Sequence, residues 1–429
     1  MRLQFINHSC FIVEEGDVRL ICDPWIEGRV FNEGWDLIYK SPFSFNDFKS
    51  VTHIWFSHEH PDHFFPPNIQ KIAPDVRKNI TVLFQETKDK RVVSFCRKLG
   101  FKEVIELKPD VWLRLNPGLE VLCEHYQEGD SWIMFRTKNV AVFNTNDCGI
   151  RDRRLATKIK QKIGKVDVLL TQFSYAYWAG NADDKTYRQK VADEKLEGYK
   201  FQCDIFEPKY TIPIASFVWF CHEENFFLND CINRPQKVYD FLKANTKSEP
   251  VILYPGEYYT PGETHDSQRS VEKLNHDLEQ VMINPKLVKG KSIERADLIA
   301  RSKTFAANLK KNYGIYVNLL KPAKIFLTDY GESYSLSVND GLMKQHFSRE
   351  DCDIELSSES LDYCFSFPWG NDTLGINGRY QRPKNGTYSR FYNFFRFDQL
   401  KSRGIQPDLS YFVSMAIRRA LVKAGISKV

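Results

Sequence analysis

The segment His53 to His63, HIWFSHEHPDH, constrains this chain more than any other. HIWFS has the aromatic and β-branched content of a strand. It runs into a loop that places His58, His60, Asp62 and His63 within six residues, in a chain with only ten histidines. Imidazole is a preferred neutral ligand for zinc, iron and similar ions, and carboxylate oxygens serve the same ions where two share a site. On an extended backbone His58 and His60 fall on one side, while Pro61 turns Asp62 and His63 toward a neighbouring position. The spacing therefore suits two adjacent ions. A polar turn whose histidines merely cap strands is the plainer alternative, and it suits one histidine better than the whole motif.

The flanking pattern is that of a layered α/β domain. LQFI, CFIV and VRLICDPW alternate as strands around a turn at Glu15-Gly16-Asp17, which predicts an antiparallel hairpin meander. PNIQKIA, TVLF, KDKRVVSFCRKLG and KEVIEL then alternate between helical and extended character. VWLRL, LEVLCEHY, SWIMFRT and NVAVFNT imply a second meander, with turns at Gly, Asp and Asn. Leu155, Ile159 and Ile163 recur four apart, which predicts a helix with a basic outer face, followed by the strand VDVLLTQF. Strand groups interspersed with helices predict a sheet pair covered by helices.

At 429 residues the chain has room for two or three domains. The Pro- and Gly-rich stretch PGEYYTPGETHD marks a boundary. The expected division is a catalytic domain over 1–260, a helical linker region over 261–323 and an accessory α+β domain over 324–429 that ends in a helix from Asp408 to Lys428. A formal net charge of +5 is small for this length, and no basic stripe stands out, so no nucleic-acid partner is expected. Ten scattered cysteines without a C-x-x-C pair read as reduced thiols. The N-terminal MRLQFINHSCF shows no secretory pattern. The longest apolar stretch, Ile212 to Cys221, is about half of the roughly 20 residues a spanning helix needs. A cytoplasmic chain without a membrane span is the expectation.

The H-x-H-x-D-H loop at a strand end resembles the metallo-β-lactamase superfamily, whose fold is an αββα sandwich. The resemblance implies further ligands at matching positions: His125 in LEVLCEHY, Asp147 in NVAVFNTND and His222 in FVWFCHEEN. One ion would be held by His58, His60 and His125 and the other by Asp62, His63 and His222. Asp147 and a hydroxide would lie between them, and Asp62 would also orient the nucleophile. Two divalent ions are implied, zinc first, with iron or manganese as the other candidates. Asp23 in CDPW matches an aspartate that supports the ligand loop from behind, although a plain turn role is equally open. His8 either supports the site or is simply buried.

Within the superfamily, DPWIEGRVFNEGW, SHEHPDH, EHYQEGDSW and NTNDCG resemble the non-Rieske portion of the CMP-N-acetylneuraminate hydroxylase family, and the resemblance extends to lactonase-like members. It covers roughly the first 260 residues. A Rieske centre needs C-x-H plus C-x-x-H. Cys123-Glu124-His125 has the first form, and the second is absent from this sequence. An oxygenase role would therefore require electrons from a separate partner. SYAYWAGN offers Tyr175, Tyr177 and Trp178 either as a sugar or base platform or as a packed aromatic loop. Arg151, beside Arg153 and Arg154, would either attract a phosphorylated substrate or belong to a solvated helix face. Residues 324–381 resemble, loosely, a sterol-carrier-like module.

The leading expectation is a binuclear metallohydrolase in which a metal-bridging hydroxide attacks an ester, lactone, amide or phosphodiester. Its substrate would be small, polar and anionic, such as a phosphorylated sugar or nucleotide sugar. The second is a di-iron oxygenase component acting on a sugar nucleotide, and the third a non-catalytic binding protein stabilised by metal.

Overall fold

A computed structural model describes residues 1–402, and the helix expected from Asp408 to Lys428 lies outside the described residues. The chain divides into two compact units, Met1–Val288 and Lys289–Val429. The division thus falls inside the segment 261–323.

Unit 1 is an αββα sandwich. Its first strands are β1 (Arg2–Asn7), β2 (Cys10–Glu15), β3 (Val18–Cys22), β4 (Trp35–Leu37), β5 (His53–Phe56), β6 (Thr81–Gln85) and β7 (Glu103–Leu107). They are followed by β8 (Leu113–Asn116), β9 (Leu119–His125), β10 (Ser131–Arg136), β11 (Ala141–Asn146), β12 (Val168–Gln172), β13 (Tyr210–Ile214), β14 (Val218–Phe220), β15 (Glu249–Pro250) and β16 (Tyr258–Tyr259). One mixed sheet runs β16-β1-β2-β3-β5-β6-β7 and the other β15-β13-β12-β11-β10-β9-β8. The expected hairpin meander is present: β1, β2 and β3 are antiparallel neighbours, after which β3, β5, β6 and β7 run parallel. The second meander, β8 to β11, is likewise antiparallel, and β11, β12 and β13 continue it in parallel.

Period-two alternation sets the layers. Trp55 and Leu83 face the core between the sheets with Phe11, Val121 and Met134, whereas Ile54, Phe56, Val82 and Phe84 face an outer helix layer. That layer is formed by α1 (Pro66–Lys71), α2 (Pro74–Arg77) and α3 (Arg91–Lys98), which contribute Ile69, Val76, Val93 and Cys96. On the other sheet, α4 (Arg153–Ile163) buries Ile159 and Ile163, as the four-residue spacing predicts, together with Ala156, while the expected Leu155 is half-buried against the same core. Next come α5 (Lys185–Phe206), α6 (Pro235–Asn245) and α7 (Ser267–Ile283). Helix α5, absent from the sequence expectation, buries Leu196, Tyr199 and Cys203 among the core residues of that sheet.

Unit 2 is an α+β region. Five strands, β17 (Ala323–Leu327), β18 (Glu332–Ser337), β19 (Gly341–Gln345), β20 (Ile354–Leu356) and β21 (Tyr380–Gln381), lie in the order β19-β18-β17-β20-β21. They are accompanied by α8 (Arg295–Tyr313), α9 (Ser358–Ser366), α10 (Gly370–Asn377) and α11 (Tyr388–Ser402). All ten cysteines are free and buried. Among the described residues, no helix is long and apolar enough to cross a membrane.

Candidate metal centre

The ends of β1, β3, β5 and β11 present the site. Four residues just beyond or at strand ends have left-handed backbone: His8 (φ 28°), Asp23 (42°), Asn146 (46°) and Ala215 (53°). Asn and Asp tolerate that region better than other non-glycine residues, and each such turn stops a strand and re-aims the chain.

Asp23 is the hub. Its fully buried carboxylate accepts from the Ser57 backbone N–H at 2.7 Å and from Ser57 Oγ at 2.8 Å. It also accepts from His63 Nδ1 at 2.9 Å and from Asn146 Nδ2 at 2.5 Å. One side chain thereby ties the ends of β3, β5 and β11 together.

The same bonds set the histidine tautomers. Because Asp23 can only accept, His63 carries a proton on Nδ1, and its metal-ligating lone pair belongs on Nε2. Ser57 Oγ gives its proton to Asp23, so its lone pair accepts from His58 Nδ1 at 2.9 Å. His58 Nε2 is then the bare nitrogen, 2.9 Å from His60 Nδ1. At the end of β9, His125 Nδ1 donates to Gln85 Oε1 at 3.0 Å, which again leaves Nε2 bare. Gln85 itself is held by donating to the Ser57 carbonyl at 3.0 Å.

Three groups of donors converge: His8 with Asp62 and His63, His58 with His63 and Asp147, and His58 with His60 and Asp130. In each, the ligand atoms lie within 4.8 Å of one another. The groups overlap through His58 and His63 and so form one continuous band. His63 Nε2 lies 3.1 Å from Asp62 Oδ2 and 3.3 Å from Asp147 Oδ2, yet it is aligned with neither for a hydrogen bond. The buried atoms Asp62 Oδ1 and Asp147 Oδ1 also have no hydrogen-bond partner. Such an arrangement of bare, buried donors fits divalent cations.

The electrostatics agree. Burial, followed by the neighbouring His63 and His60, holds the His58 imidazole well below its ordinary range, in its neutral ligand form. Burial alone would lower His63 too, but Asp62, Asp147 and Asp23 outweigh it and raise it. Burial would raise the Asp62 carboxyl, but His63 and His8 overcome it and keep it ionised. Burial and then Asp147 push Asp130 up to about 7. A local field made by three carboxylates around one imidazole favours a cation.

His58, His60, Asp62, His63 and Asp147 are thus brought together, with Asp23 behind them. His8, left open between support and burial, is buried and sits within the site, its Nε2 3.2 Å from Asp62 Oδ2. Asp130, which the sequence reading passed over, joins His58 and His60. Its signal was present in EHYQEGDSW, where the short return from β9 to β10 brings it back beside the strand end. His125 and His222 belong to none of the three groups. His222 Nδ1 accepts the Glu224 N–H at 3.2 Å, which places the neutral ring's proton on Nε2. Tyr175 is buried and donates its hydroxyl to the Leu228 carbonyl, whereas Tyr177 is 39% exposed and Trp178 is half-buried. Arg151 borders a cavity with Tyr177.

Residues 2–192 match the family model described as the beta-lactamase superfamily domain. Unit 1 has the metallo-β-lactamase superfamily fold, and its donor clusters support an enzyme of the metallohydrolase or oxygenase type. In sequence the chain is similar to the cytidine monophosphate-N-acetylneuraminic acid hydroxylase of Macaca mulatta. The two are 24% identical over 284 residues, 63% of this chain and 47% of that protein. The chain thus spans about half the length of the curated relatives it matches. Among solved structures it is similar to CmlA, a diiron β-hydroxylase from Streptomyces venezuelae, with 17% identity, 59% of this chain and 53% of that chain covered, and a TM-score of 0.41. It is also similar to an isothiocyanate hydrolase from Delia radicum gut bacteria, with 15% identity, coverage of 61% and 98%, and a TM-score of 0.42.

Proposed function

We propose that the chain is a binuclear metal-dependent hydrolase acting on an ester, lactone, amide or phosphodiester of a small anionic substrate. The observation that carries this reading is the placement of His63 Nε2, unaligned for hydrogen bonding, between Asp62 and Asp147. In this reading His58 and His60, joined by His125 and Asp130, hold one ion. Asp62, His63 and His8 would hold the other, and Asp147, grouped with His58 and His63, would serve both. When bound, two divalent ions make a shared water acidic and polarise a substrate carbonyl or phosphoryl oxygen. The residues do the positioning: Asp23, Ser57 and Gln85 fix the imidazole tautomers, and Asp62 is placed to orient a nucleophile. Zinc suits the imidazole and carboxylate donors, with manganese or iron as alternatives. The ten free, buried thiols support a reducing, cytoplasmic setting.

A second reading, an oxygenase component drawing electrons from a separate donor and acting on a sugar nucleotide, is favoured by the hydroxylase name of its sequence relatives. Metal analysis of the purified protein separates the two. Two zinc or manganese ions per chain, with turnover of an aryl ester, lactone or phosphodiester panel, support hydrolysis. Iron with reductant-dependent oxygen uptake overturns it. His60→Ala and Asp147→Ala are each expected to lower the metal stoichiometry, and wild-type stoichiometry in both refutes the ligand assignment.

A further inference from the structure

Beyond Asp147 the fold forms a half-open cavity of about 130 Å³ that the metal donors do not explain. It is bordered by Arg151, Gln172, Tyr177, Lys195, Gly198 and Gln202, and no carboxylate is among its lining residues. Lys195 Nζ donates to Gln172 Oε1 at 2.9 Å, and Gln172 Nε2 donates to the backbone carbonyl of Asp147 at 2.6 Å. The cavity is therefore wired directly to the strand end that carries Asp147. Arg151 Nη2 donates to the Glu194 carbonyl at 2.6 Å. Among the described residues, neither cation has a carboxylate within ion-pair distance, although ion pairs are common elsewhere on the chain. Burial draws the Lys195 ammonium down to about 8, which leaves it mostly charged at neutral pH.

Helix α5 is shaped around this arrangement. Gly198 lies in its interior, where glycine costs roughly 1 kcal/mol relative to alanine. A Cβ there would lie 2.7 Å from Arg151 Nε and 3.0 Å from Nη2. The missing methyl lets the guanidinium lie against the helix beside Lys195.

We propose that this cavity is the subsite for a phosphate group of the substrate. A phosphate dianion answers two cations that make no direct ion pair with a carboxylate, Lys195 feeling Asp147 and Asp130 only at longer range, whereas a carboxylate answers one. The planar fork of Arg151 and the point charge of Lys195 are complementary ways of holding phosphate oxygens. The volume equals about four waters at roughly 30 Å³ each, enough for a phosphate group. Tyr177 lines the same cavity with its ring centroid 5.3 Å from the Lys195 ammonium. The inference rests on the metal-centre reading only for the identity of the bound anion as part of that centre's substrate.

The test is calorimetric titration of the full-length, metal-loaded protein with inorganic phosphate and, separately, acetate. Phosphate is expected to bind at least about tenfold more tightly than acetate. Lys195→Met and Arg151→Met are each expected to weaken phosphate binding by about tenfold or more, as loss of a charge-assisted hydrogen bond requires. Gly198→Ala keeps every charge and favours the helix, yet it is expected to weaken phosphate binding by displacing Arg151. Repeating the titrations in the His60→Ala background separates this subsite from phosphate held by the ions: the Lys195-dependent part of the affinity persists there. Phosphate affinity unchanged in both Lys195→Met and Gly198→Ala overturns the proposal, as does acetate binding as tight as phosphate. Wild-type metal stoichiometry in His60→Ala with the Lys195 dependence intact counts against the metal reading alone.

Discussion

Removing the Asp23 carboxylate tests whether one buried side chain both holds the fold and presents the site. Four donors converge on it: Ser57 N–H, Ser57 Oγ, His63 Nδ1 and Asn146 Nδ2. Hydrogen bonds to a charged acceptor contribute about 1.5–3 kcal/mol each, but bonds within one network do not add. Ser57 Oγ also has an alternative partner in His58 Nδ1. The relevant figure for Asp23→Ala is that for breaking a buried charged pair, about 3–5 kcal/mol. For a unit of this size, at roughly 2–4 °C per kcal/mol, the melting temperature should fall by about 6–20 °C. Because Asp23 has φ of 42°, alanine adds backbone strain of its own, and Asp23→Asn is the cleaner variant. Asparagine tolerates that backbone but turns an NH₂ toward groups that are all donors. Metal affinity, measured by competition with a chromogenic chelator, should fall about 10–100-fold in Asp23→Asn, as for lost partners of ligating histidines. Wild-type metal affinity together with an unchanged melting temperature would refute the claim that Asp23 fixes the His63 tautomer.

Gln85→Leu removes the acceptor that orients His125 and should weaken metal binding by about tenfold; an unchanged affinity would show that His125 does not ligate. Glu257 supplies a check on pH dependence. Burial would raise its carboxyl, but His265, Ser270, the Tyr254 N–H and Lys273 outweigh it and bring it down to about 2. A lowered folded-state value means stability fully present above about 4.5, the ordinary glutamate range, and lost as pH falls through about 2. Glu257→Gln should therefore cost about 1 kcal/mol or less at pH 7, and the difference in melting temperature from wild type should shrink at pH 3. A constant difference at both pH values would show that the effect is not electrostatic.

The parts of the site that could be read from the sequence are those written locally. H-x-H-x-D-H is contiguous, and its strand is announced by HIWFS, so His58, His60, Asp62 and His63 needed no tertiary information. Asp147 and Asp23 each follow a strongly patterned strand. The parts missed depend on pairing. Asp130 is an ordinary loop acid until β9 and β10 pair in the register that sets His125 opposite Ser131. Lys195 sits in KVADEKLEGYK, a charged stretch whose helical period is blurred because polar residues such as Arg188 and Gln202 are buried along with apolar ones. Only the packing of α5 against β12 reveals that its side chain meets Gln172. Gln85 and Gln172 are similar: each ends a core strand as an uncharged polar residue, and only tertiary bonding assigns it a task.

This division has a physical cause that bears on the mechanism. Ligand atoms must converge within a few ångströms, so evolution or chance can supply several from one loop, but their protonation states are set by groups from other elements. Here Asp23 comes from the end of β3, Gln85 from β6, Ser57 from β5 and Asn146 from β11. Each is buried, and each contacts a histidine or the carboxylate that holds one. The left-handed turns at Asp23 and Asn146, which carry a backbone cost of order 1–3 kcal/mol each, persist because the Asn146 to Asp23 bond joins the two turns. Relaxing either turn would break the bond that Asn146 Nδ2 donates to Asp23, loosening the carboxylate that accepts from His63 Nδ1 and freeing the ring to change tautomer. Strain in the strand ends and the chemical form of the imidazoles are therefore one property, and a substitution that relieves the first should degrade the second.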